Sequence, residues 1–108
     1  MINDEIEYYI TMCVSTAHIT GIDNEILLVT ETHSPEYGVH LLTNDLDSYR
    51  IYVPPTAEDR DRYKEIALQA GFSNALIKLI DYASRNGCRI LELDCDGPII
   101  SSFEKFDW

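Results

Sequence analysis

Asp94 and Asp96 flank Cys95 in the segment LDCDG, and their type and spacing could support metal chemistry. Two carboxylates separated by one residue can hold Mg²⁺ together with the phosphates of a substrate. Phosphotransferase sites of this kind also need lysine and carboxylate motifs downstream, whereas Lys105 is the sole lysine after Asp96. The glutamate that closes an EF-hand loop is absent as well. The segment is therefore better interpreted as acidic surface at a strand end, with a metal-binding pair as the alternative.

The segment STAHIT, residues 15–20, contains a second candidate, in which Ser15, Thr16 and His18 supply a nucleophile and a base. Ser15 and His18 are three residues apart, so on a strand they would point to opposite faces. The sequence has neither a GxSxG elbow nor an oxyanion-hole signature. The segment is more typical of a strand end followed by a helix cap at Thr20, with His18 partly buried.

Zinc, thiol and nucleotide chemistry have little support in the sequence. His18, His33 and His40 show no HxH or HxxxH spacing. The three cysteines form no CxxC pair, and only Cys88 has a basic neighbour, Arg89. The five glycines are scattered singly and form no phosphate-binding loop. We therefore expect no cofactor, and thiols that behave as small buried apolar residues in a reducing compartment.

The elements that would position these residues follow from hydrophobic periodicity and turn signals. Four strands are predicted, in YYITMCVST, YGVHLLT (37–43), YRIYV (49–53) and CRILELD, with NDLDS joining the middle two as a hairpin. Caps at Thr20, Thr56 and Ser73 predict a short helix in NEILLVTE and longer helices over 57–70 and 74–86. The predicted fold is α+β, a small, mainly antiparallel sheet of about four strands with two to three helices packed on one face.

Strand and helix periodicity also predict which side chains face the core. Along the last strand, Glu92, Asp94 and Asp96 share the outer face, spaced about 6.5 Å apart. Along the first strand, Ile10, Met12 and Val14 are predicted to share one face. The predicted core-facing sets are Leu91, Leu93 and Cys95; Tyr63, Ile66, Ala67 and Ala70; and Leu76, Leu79, Ile80 and Ala83.

Length and apolar content bound the class of protein. A chain of 108 residues is expected to form a single domain, 1–108. No apolar run approaches the roughly 20 residues needed to span a bilayer. The acidic start MINDEIEYY lacks the basic region of a signal peptide. We expect a cytoplasmic protein with no membrane partner.

The charges are segregated along the chain, and the formal net charge is −11. Residues 1–49 carry nine carboxylates and no Lys or Arg. Residues 50–87 carry six basic and five acidic side chains, and residues 88–108 carry two basic and five acidic side chains. Direct nucleic-acid binding is disfavoured because phosphate contacts require clusters of basic side chains. A basic protein partner is favoured instead, since complementary fields steer association.

The segment FEKFDW places three aromatic rings among acidic residues at 103–108. One interpretation is a strand or tail that docks Phe103, Phe106 and Trp108 onto the core. The other is that Trp108 anchors an interface, as buried aromatic side chains often do. The sequence also leaves open a homodimer formed through a free sheet edge or through this tail.

STAHIT after an apolar strand, then GCRILELDCDGPI and a closing DW, together resemble an uncharacterised family of small domains. In that family a Ser-Thr-Ala-His stretch opens the domain, a Gly-Cys pair leads into an acidic last strand, and the chain stops at an Asp-Trp pair. Its members are encoded on bacterial plasmids, phages and integrative elements. The resemblance implies a mobile-element context, akin to that of anti-restriction and anti-CRISPR proteins, and implies no particular chemistry.

Charge and this resemblance together predict a non-enzymatic inhibitor that binds a host nucleic-acid-handling defence protein through a DNA-mimic-like acidic face. Carboxylates on a rigid surface can occupy the basic groove of such a protein. The predicted partner-binding residues are Glu92, Asp94, Asp96, Asp45, Asp47, Asp4, Glu5, Glu7 and Trp108. The alternatives are a small metal-dependent hydrolase using Asp94, Asp96 and His18, and an antitoxin-like partner of a basic protein.

Overall fold

The computed structural model describes residues 7–34, 36–45 and 48–108. Within these ranges the chain forms four strands and three α-helices. The strands are β1 (Thr11–Ser15), β2 (His40–Asn44), β3 (Ser48–Tyr52) and β4 (Ile90–Asp94). The helices are α1 (Gly21–Val29), α2 (Ala57–Ala70) and α3 (Asn74–Arg85), and a 3-10 turn, Thr16–His18, follows β1.

The strands lie in the order β1-β4-β3-β2. β2 and β3 form the predicted antiparallel hairpin, β3 pairs antiparallel with β4, and β4 pairs parallel with β1. The α+β fold with a mainly antiparallel sheet, predicted from the sequence, is confirmed. The position of β4 between β1 and β3 was not predicted, because that pairing joins segments far apart along the chain.

One face of the sheet carries the core. Leu91 and Leu93 of β4 are fully buried, and the predicted stripe of α3 is buried against them. All three helices contribute side chains to this single cluster, as an α+β layer arrangement requires. The opposite face displays Arg50 and Glu92, the former exposed and the latter half-buried. Helices therefore pack on one face, as predicted.

A capping box begins α1 at the predicted position. Thr20 Oγ1 accepts a hydrogen bond from Asp23 N–H at 3.0 Å, and Asp23 Oδ2 accepts one from Thr20 N–H at 3.0 Å. The fully buried Asp23 also accepts hydrogen bonds from Ser73 N–H at 2.7 Å and from Ser73 Oγ at 2.5 Å. Ser73 caps α3, so one carboxylate ties the starts of two helices together, where their dipoles favour its charge.

Two predicted core positions and one strand boundary are wrong. Ile10 was predicted to lie within the first strand, but β1 begins only at Thr11 and Ile10 is 62% exposed. Cys95 is exposed because β4 ends at Asp94 and the chain turns there. Ile66 is 38% exposed because α2 turns Tyr63 and Ala67, rather than Ile66, into the core.

None of the helices in the described ranges is long and apolar enough to cross a membrane.

Candidate functional site

The segment LDCDG ends β4 in a turn that Asp94 stabilises. Asp94 Oδ1 accepts a hydrogen bond from Asp96 N–H at 2.9 Å, and Asp94 O accepts one from Gly97 N–H at 2.9 Å. An aspartate that accepts from the backbone two residues later is a recurrent turn element. Asp96 therefore lies in the turn, and the prediction that it continues the strand face of Glu92 and Asp94 is wrong.

Glu92 differs from the other carboxylates predicted to bind a partner protein, because side chains on the neighbouring strands donate hydrogen bonds to it. Arg50 Nε donates a hydrogen bond to Glu92 Oε1 at 2.8 Å from the neighbouring strand β3. This bond, together with one from the Cys13 thiol, lowers the pKa of Glu92 below its usual range. Glu92 is thus largely neutralised by Arg50, and it adds little to a negative surface.

The ends of three strands bring other aspartates together. Ser15, Asp94 and Ser48 are register partners across β1, β4 and β3. Asp45 donates its backbone N–H to Ser48 O at 2.9 Å, which places it at the same end of the sheet. Asp45 and Asp94 come from opposite halves of the sequence, and strand pairing places them at the same end of the sheet, on either side of Ser48.

A cavity of about 450 Å³ opens at this end of the sheet. Its lining offers a carboxylate, hydroxyls, an amide and aromatic rings, and it includes no Lys or Arg among the residues that the structure describes. The lining residues are Ser15, Thr16, Ala17, Asn24, Cys95, Ile99, Phe106, Asp107 and Trp108. We define the acidic end as Asp45, Asp94, Asp96 and Asp107.

Residues 98–108 form one wall of the cavity, and the segment after β1 holds them in place. Ser15 N–H donates to Pro98 O at 2.9 Å, and Phe106 N–H donates to Ala17 O at 2.8 Å. Trp108 Nε1–H donates to Ile19 O at 2.8 Å. The predicted docking of the aromatic segment is therefore present, although the ring of Trp108 stays half exposed.

His18 fastens the same segment with both ring nitrogens. Nε2 accepts a hydrogen bond from Ile100 N–H at 2.9 Å, so Nδ1 carries the proton and donates it to Glu104 O at 2.8 Å. The ring is 1% exposed and packs edge-on against Phe103, with the ring centroids 5.6 Å apart. His18 is therefore buried more completely than predicted, and neither nitrogen is available to a substrate or metal while the segment is docked.

Basic side chains gather at the opposite end of the sheet. Arg89 precedes β4, and its carbonyl O accepts a hydrogen bond from Val53 N–H at 2.8 Å, just beyond the end of β3. Arg60 Nη1 donates to Ser84 Oγ at 2.9 Å, and Ser84 Oγ donates to Pro54 O at 2.5 Å. Arg89 and Arg60 thus lie at the end of the sheet opposite Asp94.

The other predicted partner-binding residues divide between these two ends or fall outside the structure. Glu7 precedes β1 and its carboxylate accepts a hydrogen bond from Tyr9, whose ring lies 5.7 Å from the Arg89 guanidinium carbon. Glu7 therefore lies at the same end of the sheet as Arg89, and its role in partner binding stays a prediction. Asp4, Glu5 and Asp47 lie outside the described residues.

Asp94, Cys95 and Asp96 bring potential metal ligands close together. Their ligand atoms lie within 4.8 Å of one another, and no other such group occurs in the ranges that the structure covers. Asp94 already uses Oδ1 to hold the turn, and Cys95 and Asp96 are exposed. The turn accounts for the position of both aspartates without a metal.

Two polar residues of the cavity lining, Asn24 and Asp107, were not predicted from the sequence, whereas Thr16 was a candidate in STAHIT. A signal for Asp107 was present, since it belongs to the closing DW. The two motifs that carry the resemblance therefore meet in space and form one site. Asn24, whose Oδ1 accepts a hydrogen bond from Tyr49 at 2.6 Å, had no such signal.

Comparison with known proteins places this arrangement in a family. The family described as the DUF5983 C-terminal domain, of unknown function, matches residues 11–108. No curated protein and no solved structure matches the chain.

Proposed function

The chain belongs to the DUF5983 C-terminal domain family, and from its surface we propose that it is a non-enzymatic protein that binds a basic partner with its acidic end. The partner class that fits is a host defence protein that handles nucleic acid, of the CRISPR or restriction type. The protein would then act as an inhibitor from a mobile element, in the cytoplasm of a bacterial host.

The observation that carries this proposal is the set of unpaired carboxylates at the acidic end. Asp45, Asp94, Asp96 and Asp107 form no ion pair in the described part of the chain. The ion pairs that do form involve Glu92, Glu58 and Asp59. The negative electrostatic field of an unpaired carboxylate is not neutralised by a neighbouring cation, so it attracts a basic surface.

Rigidity supports the same reading. Asp94 is fixed by its turn, Asp45 is hydrogen-bonded to β3 through its backbone, and Asp107 follows the docked Phe106. A preorganised charge array loses little conformational entropy on binding. Nucleic-acid-binding proteins hold phosphates chiefly by charge, so a rigid row of carboxylates can compete for their grooves.

Two alternatives differ in how well the geometry supports them. A hydrolase using Asp94, Asp96 and His18 is disfavoured because both nitrogens of His18 are bonded to the backbone of residues 100 and 104. An antitoxin-like role would use the same acidic end, and only the identity of the partner separates it from the inhibitor. A homodimer through an edge strand stays a prediction, and its test is the molar mass in solution.

The experiment is capture of partners from host lysate by tagged protein at about 50 mM and about 500 mM NaCl, since screening weakens exposed charge contacts. The test variant combines Asp45→Lys, Asp94→Asn and Asp96→Lys. Asparagine at 94 keeps the Oδ1 acceptor of the turn. The control variant combines Glu58→Lys, Asp61→Lys and Glu65→Gln on α2, which changes the net charge by the same amount.

We expect wild type and control to capture a nuclease, CRISPR or restriction component at low salt and to lose it at high salt. The test variant should capture none of it while keeping the melting curve of a folded protein. Equal capture by the test variant, or no specific partner, would contradict the proposal. In the second case a rise in melting temperature with Mg²⁺ would favour the hydrolase.

A further inference from the structure

We propose that the cavity at the acidic end receives an arginine side chain of the partner. This inference rests on the proposed function and adds the chemistry of its central contact. Three features support it: the charge of the cavity, its aromatic wall, and the fixed position of that wall.

The charge of the cavity suits a cation. Asp107 lines it and has no ion-pair partner in the described ranges, while Asp94 and Asp96 flank the lining residue Cys95. Two other cavities, of about 200 and 250 Å³, each contain a basic side chain in their lining, Arg62 or Lys78. A cation entering either of these would meet a like charge, which the larger cavity at the acidic end does not present.

The aromatic wall favours a guanidinium over an ammonium group. Trp108 is 55% exposed and lines the cavity beside Phe106. A planar guanidinium can stack on an indole face while its N–H groups donate to a carboxylate and a hydroxyl. Asp107 and Thr16 supply those two acceptors in the same lining.

The aromatic wall is held in place before any partner arrives. Trp108 Nε1–H is bonded to Ile19 O at 2.8 Å, and the ring packs on Gly21, where an added Cβ would lie 3.3 Å from Trp108 Cβ. Phe106 is fixed through its backbone to Ala17. A stacking surface that is already ordered adds affinity because less entropy is lost on binding.

The test is an NMR titration of isotope-labelled protein with N-acetyl-arginine methylamide at constant ionic strength. Trp108 is the sole tryptophan of the sequence, so its indole N–H gives a single reporter resonance inside the cavity. The matched probe is the citrulline derivative, which has nearly the same shape and no charge. The lysine derivative separates a guanidinium preference from a general preference for cations.

We expect saturable shifts of the Trp108 indole and of Thr16 with the arginine probe, with a dissociation constant on the order of millimolar. The citrulline probe should leave them unchanged, and the lysine probe should bind several-fold more weakly. Asp107→Asn should weaken arginine binding about tenfold, because one charged hydrogen-bond acceptor is lost. Asp61→Asn, on the exposed side of α2, is the matched control and should bind like wild type.

Equal shifts with citrulline, no shift at about 20 mM arginine probe, or unchanged affinity in Asp107→Asn would each overturn the inference. These outcomes are separate from those of the capture experiment. Salt-sensitive capture that needs Asp45, Asp94 and Asp96, without any arginine binding, would leave the proposed function standing and remove the arginine site. Arginine binding without a captured partner would leave the arginine site standing and contradict the proposed function.

Discussion

Cys13 and Glu92 lie on the face of the sheet opposite the helices, and the hydrogen bond between them shifts the pKa of both side chains. They are register partners on β1 and β4, and Arg50 lies next to Glu92 on β3. Burial and the hydrogen bond to Glu92 raise the pKa of the Cys13 thiol to about 11. The thiol therefore stays protonated at neutral pH, and a protonated thiol is a poor nucleophile.

We predict that Glu92→Gln accelerates alkylation of Cys13 by iodoacetamide at pH 8 by several-fold. The substitution removes a negative charge and a charged acceptor, both of which raise the pKa of the thiol, so its pKa falls and more thiolate forms. Burial still holds the pKa above the ordinary value, so the rate should keep rising with pH beyond 9. Peptide mass spectrometry measures the rate at each cysteine.

Cys95 serves as the internal reference for this experiment, because it is exposed and lies beyond the end of β4. Its rate should be the same in wild type and Glu92→Gln. An unchanged rate at Cys13 in the variant would show that Glu92 does not hold the thiol proton.

At the scale of elements, residues 98–108 depend on the short segment after β1. Their attachment uses His18 and backbone groups of residues 15–19, and it has no regular strand pairing. Close approach is possible only because Gly97 has no side chain, since a Cβ there would lie 2.8 Å from the carbonyl carbon of Val14. The position of residues 98–108, which form the wall of the cavity, therefore depends on a few specific contacts.

We predict that His18→Ala lowers the free energy of unfolding by roughly 2–4 kcal/mol, because a buried ring and two hydrogen bonds are lost. Amide hydrogen exchange should speed up most at Ile100 and Phe106, whose N–H groups hold this attachment. Exchange in α2 should change far less. Hydrogen-exchange mass spectrometry or NMR provides the measurement.

His40→Ala is the matched control, since the His40 ring packs at a tilt of 53° against Tyr52 with a centroid distance of 5.5 Å, on the face of the sheet opposite the helices. Exchange at Ile100 and Phe106 should stay at the wild-type rate in this variant. Wild-type protection of both amides in His18→Ala would mean that the segment is held by its aromatic packing alone.

At the scale of the whole molecule, the formal charge of −11 is distributed unevenly. The four carboxylates of the acidic end form no ion pair in the described part of the chain, while Arg50 and Arg62 pair with acids elsewhere. Repulsion among unpaired like charges opposes the compact state. The acidic end, which we propose as the partner-binding surface, thus lowers the stability of the isolated protein.

We predict that raising NaCl from about 20 to about 200 mM increases the melting temperature by a few degrees at pH 7, because salt screens this repulsion. The variant with Asp45→Lys, Asp94→Asn and Asp96→Lys should show a smaller increase. Differential scanning fluorimetry or calorimetry measures both. A melting temperature that falls with salt would mean that ion pairs outweigh repulsion.

Local sequence patterns predicted most of the fold because they act within a few residues. Thr20 with Asp23, and Ser73 before α3, begin helices through hydrogen bonds to N–H groups three residues away. The stripe of α3 is buried because i, i+3, i+4 spacing places it on one face. Pattern reasoning failed at Ile10 and Cys95, because where a strand ends depends on the neighbouring strand with which it pairs.

The sequence by itself determined the type of the elements, the acidic balance and the two motifs, STAHIT and the closing DW. Only the tertiary structure decided what these residues do. Parallel pairing of β1 with β4 brings Ser15 beside Asp94, and docking of residues 98–108 brings Asp107 and Trp108 to Thr16. The residues brought together in this way lie up to 92 positions apart, from Thr16 to Trp108, and their arrangement is selected by burial of the whole core rather than by local propensity.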